Sequence, residues 1–131
     1  MLEDVVASVL KTLGFKIKVG HKIVTKAGTE VEVDVWGEKN VENTTFIVYA
    51  SCKNWDKPVE TNVIREENGR IDVIDPKPHL KVIVAKSLSK EAKKEATTHG
   101  FLVIEIKEKI DKENAENAYW KVYKTLSKLF A

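Results

Sequence analysis

The chain has 131 residues, and its 22 Lys plus Arg against 20 Asp plus Glu leave a formal charge of +2. That length suits one domain with a real core. No apolar run approaches the ~18 residues that span a bilayer, and a lone cysteine, Cys52, excludes an intrachain disulfide or a zinc site built on several thiolates. The single thiol and the acidic opening Met1-Leu2-Glu3-Asp4, unlike a secretory leader, point to a reducing, cytoplasmic setting with no membrane role.

The pattern from Glu3 to Leu13 predicts a helix, with Val5, Val6, Val9, Leu10 and Leu13 at helical spacing and Gly14 as its stop. Phe15 to Thr25 alternates as a strand, with Phe15, Ile17, Val19 and Ile23 on one face and Lys16, Lys18 and Lys22 on the other. Lys26 to Thr29 is a turn. Glu30 to Gly37 alternates again, setting Val31, Val33 and Val35 against Glu32, Asp34 and Trp36, so the two runs read as a hairpin. Glu38 to Thr44 reads as a polar loop. In the third strand, Thr45 to Lys53, Phe46, Val48, Ala50 and Cys52 oppose Ile47, Tyr49, Ser51 and Lys53.

Pro58 can open a helix striped by Val59, Val63 and Ile64 and ended by Gly69. Ile71 to Pro78 reads as a loop. Leu80 to Ala85 and Phe101 to Ile106 are short apolar runs, as buried parallel strands require. Between them Ser87 or Ser89 caps a helix from Lys90 to His99, with Gly100 after its end. Asp111 to Ala131 is an amphipathic helix striped by Ala115, Ala118, Tyr119, Val122, Tyr123, Leu126 and Phe130. The order is α-β-β-β-α-β-α-β-α, a meander followed by right-handed crossovers. The one candidate boundary separates residues 1–110 from the last helix, 111–131, which packs on the domain or on a second copy.

Chemistry gathers near the ends of the second and third strands. Asp34 sits near the end of one, and Ser51 and Lys53 lie two apart on one face of the other. A carboxylate there can hold Mg²⁺, and a lysine beside it can orient water against a phosphodiester. An ordinary cross-strand ion pair is the alternative on these residues alone. Cys52 points away from Lys53 as a core thiol, and His21, His79 and His99 lack metal-ligand spacing.

The wider pattern is more specific. A helix beginning with Glu3 leads into Leu-Gly-Phe at residues 13–15 and a Lys-rich strand. Val-Asp-Val-Trp-Gly follows at 33–37, then Ser-Cys-Lys-Asn-Trp at 51–55 and Lys-Pro-Val at 57–59. A buried strand, a helix closed by Gly100 and Phe-Leu-Val-Ile at 101–104 complete it. This resembles the PD-(D/E)xK nuclease superfamily, and within it the Mrr-type restriction endonucleases and archaeal Holliday junction resolvases, over about residues 2–106. The resemblance implies a restriction endonuclease-like α/β fold, a three-layer α-β-α core around a mixed sheet of about five strands, plus the C-terminal helix. It implies a Mg²⁺- or Mn²⁺-dependent DNA endonuclease, with Asp34 as metal-binding aspartate, Lys53 as catalytic lysine and Glu3 as an additional metal or water ligand.

One position departs from that pattern. Ser51 stands where the family carries Glu, Asp or Gln, removing a charge and reach from the site. Glu32, leaning in from the strand of Asp34, or Glu60, from the helix after Lys53, are the candidates to replace the acid. Without a replacement, the fold would serve as an inactive DNA-binding or assembly module.

The total charge also hides a distribution: no acid occurs from Val5 through Thr29, where Lys16, Lys18, Lys22 and Lys26 form a candidate phosphate-contacting patch or a protected sheet edge. Lys57 belongs with the DNA-contacting candidates. Trp36 and Trp55, each two residues past a site residue, are candidates either to stack on an extruded base or to pack at the sheet rim. Cutting both strands of a duplex favours a homodimer.

Overall fold

The computed structural model describes residues 1–130, so the final residue of the predicted last helix, Ala131, lies outside the described residues. The elements are α1 (Leu2–Thr12), β1 (Lys16–Val24), β2 (Glu30–Val41), β3 (Thr44–Lys53), α2 (Thr61–Asp72), β4 (Leu80–Ala85), α3 (Lys90–Thr98), β5 (Phe101–Glu105) and α4 (Ala115–Phe130). They build a five-stranded sheet in the order β1-β2-β3-β4-β5. The first three strands pair antiparallel, and β3, β4 and β5 run parallel. The mixed α/β sheet is the one expected from the sequence.

The two sheet faces carry separate cores. On one, α1 and α4 pack together and bury Val6, Val9, Leu10, Val122 and Leu126 over Val35, Val48 and Val84. On the other, Ile64 and Ile71 of α2 and Ala92 and Ala96 of α3 cover Trp36, Tyr49 and Ile83. Three layers result. The stripe of α4 is thus consumed within the chain, with Ala118, Val122 and Leu126 all at or below 1% exposure. Trp120, at 55%, is left outward.

Local chemistry explains most element ends. Gly14, at φ +97°, terminates α1, and the N–H groups of Gly14 and Phe15 return to the carbonyls of Lys11 and Leu10, both at 3.0 Å. The Ser89 hydroxyl accepts from Ala92 N at 3.1 Å and caps α3. Several boundaries differ from the sequence reading. The polar loop over Glu38 to Thr44 is instead a continuation of both strands, closed by a two-residue turn with Glu42 at φ 57°. Its polar residues pair across the hairpin, as Thr45 Oγ1 does with Asn40 Oδ1 at 2.9 Å. Pro58 does not open α2. Val59 N donates to Ser87 O and accepts from Ser89 N through its carbonyl, so this segment is extended and the helix waits for Thr61. Gly69 does not end α2, which continues through Ile71 to Asp72. Asp111 does not start α4, because its carboxylate accepts from Glu113 N and Asn114 N in a turn ahead of the helix.

The largest departure is a change of face inside the first hairpin. Pairing runs from Lys16↔Glu38 to Val19↔Val35, omits Gly20 with Asp34, and resumes at His21↔Val33. Gly20 takes φ +63° there, a conformation glycine adopts without steric cost. The alternation is reset at this point. Val33 and Ile23 join the α2/α3 core, whereas Val35 and Ile17 join the α1/α4 core. Val33 and Val35 therefore do not share a face, and neither do Ile17 and Ile23. Lys22 likewise lies on the face opposite Lys16 and Lys18.

Candidate active site

Asp34 stands at that break. The β2–β3 ladder stops at Val35↔Ala50, and beyond it Asp34 Oδ2 takes over as acceptor, receiving the Cys52 N–H at 2.7 Å. A side chain thus replaces a backbone carbonyl where the strands part. Burial raises the Asp34 pKa above the usual carboxylate value. The Cys52 N–H and the Lys53 charge pull it down, while the negative charges of Glu67 and Glu3 push it up again. Asp34 accordingly lies within the field of Lys53, Glu67 and Glu3.

On β3, Tyr49, Ser51 and Lys53 follow at every second residue and line one face. Over that face lies a residue the sequence reading missed. Glu67 of α2 is 3% exposed, accepts the Tyr49 hydroxyl on Oε1 at 2.6 Å, and sets Oε2 3.3 Å from Lys53 Nζ. Arg70 Nε lies 3.9 Å from the same Oε2. Burial, with the Glu67 charge and hydrogen bond, holds Tyr49 protonated far above the usual phenol range. Ser51 is buried, and its Oγ has no hydrogen-bond partner.

The signal for Glu67 was present in the sequence. It sits three residues after Ile64 and four before Ile71, on the buried stripe of α2. A carboxylate on such a stripe must be paired.

The two replacements expected for the missing acid both stand at the surface. Glu60 is the exposed N-cap residue of α2, and Glu32 is exposed on β2 beside Gly20, across the break from Asp34. Glu3, in the first turn of α1, is half-exposed and near enough for its charge to raise both Asp34 and Cys52. Cys52 itself is buried in the α1/α4 core. Its thiol is pushed well up by burial and by Asp34 and Glu3, which keeps it from acting as a nucleophile.

Around the site, Trp55 is half-buried under the ammonium groups of Lys53 and Lys57, at 5.6 and 5.4 Å from the ring centroid. Trp36 is 2% exposed, donates Nε1–H to Glu38 Oε2 at 2.9 Å, and packs with His21, so its ring is a packing element. Lys16, Lys18 and Lys22 are exposed on the free edge strand β1, and Lys26 is exposed in the following turn. Asn54 ties the segment after Lys53 to the connection between β5 and α4, donating to Ile110 O at 3.0 Å and accepting from Ile110 N at 2.8 Å.

The donor set suits a hard divalent cation: two carboxylates and a buried, unpartnered hydroxyl, all oxygen. Among the described residues no three His, Cys, Asp or Glu side chains form a ready-made cage. Asp34 and Glu67 would supply two protein ligands at most, with water and phosphate oxygens completing the shell, which is the manner in which Mg²⁺ is usually bound.

A family model for the Mrr catalytic domain, described as a restriction endonuclease, matches residues 1–110. A search of the curated proteins returns no match. Among solved structures, the crystal structure of AF1548, a protein of unknown function, superposes with a TM-score of 0.61 at 19% identity. It covers 77% of this chain and 54% of its own. Protein VC1899 from Vibrio cholerae superposes with a TM-score of 0.62 at 16% identity over 98% of this chain and 33% of its own. At such identities these structures establish the shared fold, and this chain spans about half the length of one and a third of the other. The family model covers most of the sequence and includes every element from α1 to β5. The chain belongs to the Mrr-type restriction endonuclease family.

Proposed function

We propose that this protein is a metal-dependent DNA endonuclease whose third acid comes from α2 rather than from the strand motif. The observation that carries this reading is the buried Glu67 carboxylate, 3.3 Å from Lys53 over the strand face that Ser51 leaves without an acid. Asp34 and Glu67 are the candidate protein ligands, and Glu3 adds negative charge from α1. The cation, Mg²⁺ or Mn²⁺, would stabilise the charge growing on the phosphate oxygens. Lys53 orients the attacking water and neutralises the oxygen it presents. The water oxygen bonds to phosphorus and gives up a proton to solvent, the bond from phosphorus to the leaving sugar oxygen breaks, and that oxygen takes up a proton from solvent. Lys57 beside Trp55, and Lys16 and Lys18 on β1, would contact backbone phosphates, and Lys22 and Lys26 extend the positive edge. Action on both strands would use a homodimer.

A second reading, a nuclease fold that binds DNA without cutting it, is favoured by one feature: Lys53 and Glu67 already neutralise each other. The two separate in a nicking assay on supercoiled and branched DNA with Mg²⁺ or Mn²⁺. The endonuclease reading expects wild-type cleavage that drops at least about a hundredfold in Asp34→Ala, Lys53→Ala and Glu67→Gln, in line with the loss of a charge-stabilising or positioning group. Salt-dependent DNA binding with no wild-type cleavage would favour the second. Undiminished cleavage in Glu67→Gln would remove Glu67 from the site.

A further inference from the structure

We propose that Tyr49 is a positioning residue for this site, its hydroxyl fixing the Glu67 carboxylate in the place of the acid that Ser51 lacks. The inference rests on the role given above to Glu67 and extends it to a side chain that meets neither substrate nor cation. Tyr49, Ser51 and Lys53 are alternate residues on one strand face. Glu67 binds the first through Oε1 at 2.6 Å and pairs with the third through Oε2 at 3.3 Å. A carboxylate held at both ends of this row spans the position between them, and that position is Ser51, whose hydroxyl is buried and unpartnered. The small side chain at 51 and the acid from α2 are therefore complementary.

A glutamate reaching in from a helix has three side-chain torsions to restrain. An acid on β3 itself would start from a backbone already beside Ser51's neighbours Tyr49 and Lys53, whereas one from α2 has to be directed across to that row. Tyr49 supplies the restraint. Its ring is 1% exposed in the layer that holds Trp36, Ile64 and Ile83, and its hydroxyl makes the shortest contact to Glu67. Arg70 is a poorer anchor. It lies 3.9 Å from Glu67 and divides its guanidinium between Glu66 Oε1 at 3.2 Å and the Glu32 carbonyl at 3.3 Å. With Tyr49 holding one oxygen, the other stays turned toward Lys53 and the parted strand ends.

The test compares wild type, Tyr49→Phe, Glu67→Gln and the double variant. Three measurements are made on the full chain: thermal melting, Mn²⁺ binding by calorimetry without DNA, and nicking rate against Mg²⁺ concentration. A positioning role gives Tyr49→Phe a Mn²⁺ affinity and a half-saturating Mg²⁺ concentration weakened on the order of tenfold to a hundredfold, the usual effect of losing a group that orients a ligand. The saturated rate changes much less. The double variant binds no more weakly than Glu67→Gln alone, because both changes break one linkage. A lowered melting temperature with unchanged Mn²⁺ affinity and unchanged Mg²⁺ dependence would make Tyr49 merely structural and overturn the proposal. So would additive effects in the double variant, or absence of Mn²⁺ binding by wild type. If Glu67→Gln impairs cleavage and Tyr49→Phe leaves the Mn²⁺ affinity and the Mg²⁺ dependence unchanged, this inference falls and the role of Glu67 stands. If Glu67→Gln has no effect, both fall.

Discussion

The buried hydroxyl of Ser51 gives the sharpest stability prediction. Its Oγ is enclosed on β3, opposite Ile83 in the β3–β4 register, and has no partner. An orphaned buried polar group costs about 1–3 kcal/mol relative to a satisfied one. Ser51→Ala removes that cost. It leaves a void smaller than a methyl group, whose penalty stays below about 1 kcal/mol. The net expectation is a gain of about 1 kcal/mol, or roughly 3–4 °C in melting temperature for a domain of this size. Thermal unfolding followed by circular dichroism, in chelator and at neutral pH, measures it directly. A second arm adds Mn²⁺. If the hydroxyl is held in reserve for a ligand, the advantage of Ser51→Ala narrows or reverses as the wild type binds the cation. A loss of more than about 0.5 kcal/mol in chelator, outside the range of surface substitutions, would refute the reasoning, since Oγ would then have a partner in the free protein.

Three further outcomes follow from the same geometry. Glu105 joins β5 to α3, accepting from Lys93 Nζ at 2.9 Å and Leu88 N at 3.0 Å, with Lys107 Nζ at 3.3 Å. Burial alone would raise its pKa, but these donors outweigh burial and hold it below the usual value. Its stabilisation is therefore complete above the unfolded carboxylate pKa and disappears as pH falls through the lower folded value. Glu105→Gln should cost about 1–2 kcal/mol in urea unfolding at pH 7 and much less at pH 3; an equal cost at both would contradict the assignment. Gly14→Ala should destabilise by about 1–2 kcal/mol, because φ is +97° and the new Cβ would meet Lys39 Cε at 3.2 Å. Gly69→Ala, with open space inside α2, should stabilise by about 0.5–1 kcal/mol; opposite signs from calorimetry would invalidate the reading of both backbones.

What could be read from sequence, and what could not, has physical reasons. Strand and helix identities came from hydrophobic period, and the five-stranded mixed sheet followed from their order and from the resemblance. The faces of the first hairpin did not. Period-two alternation assumes an unbroken ladder, and nothing in Gly20 or Asp34 alone announces that this pair drops out of it. The polar run ahead of Thr44 reads as loop from its charge, whereas a two-sided hairpin end exposes both strands. At the site, the resemblance pointed to Asp34, Ser51 and Lys53 through their strand spacing. Glu67 lies fourteen positions past Lys53 on another element and is joined to it only by folding. Its one local mark is an acid placed on an apolar stripe.

The family match ends at residue 110, but the packing does not. Ala118, Val122 and Leu126 of α4 are fully enclosed in the core that also holds Val6, Val9 and Leu10. Lys121 reaches back to the Ile106 carbonyl at 2.7 Å. The end of the family match is thus not a folding boundary. A protein trimmed there would give water a greasy flank on α1, the helix that carries Glu3. In a library of shortened variants, loss of soluble expression should begin when the cut passes Leu126, well before any nuclease motif is reached.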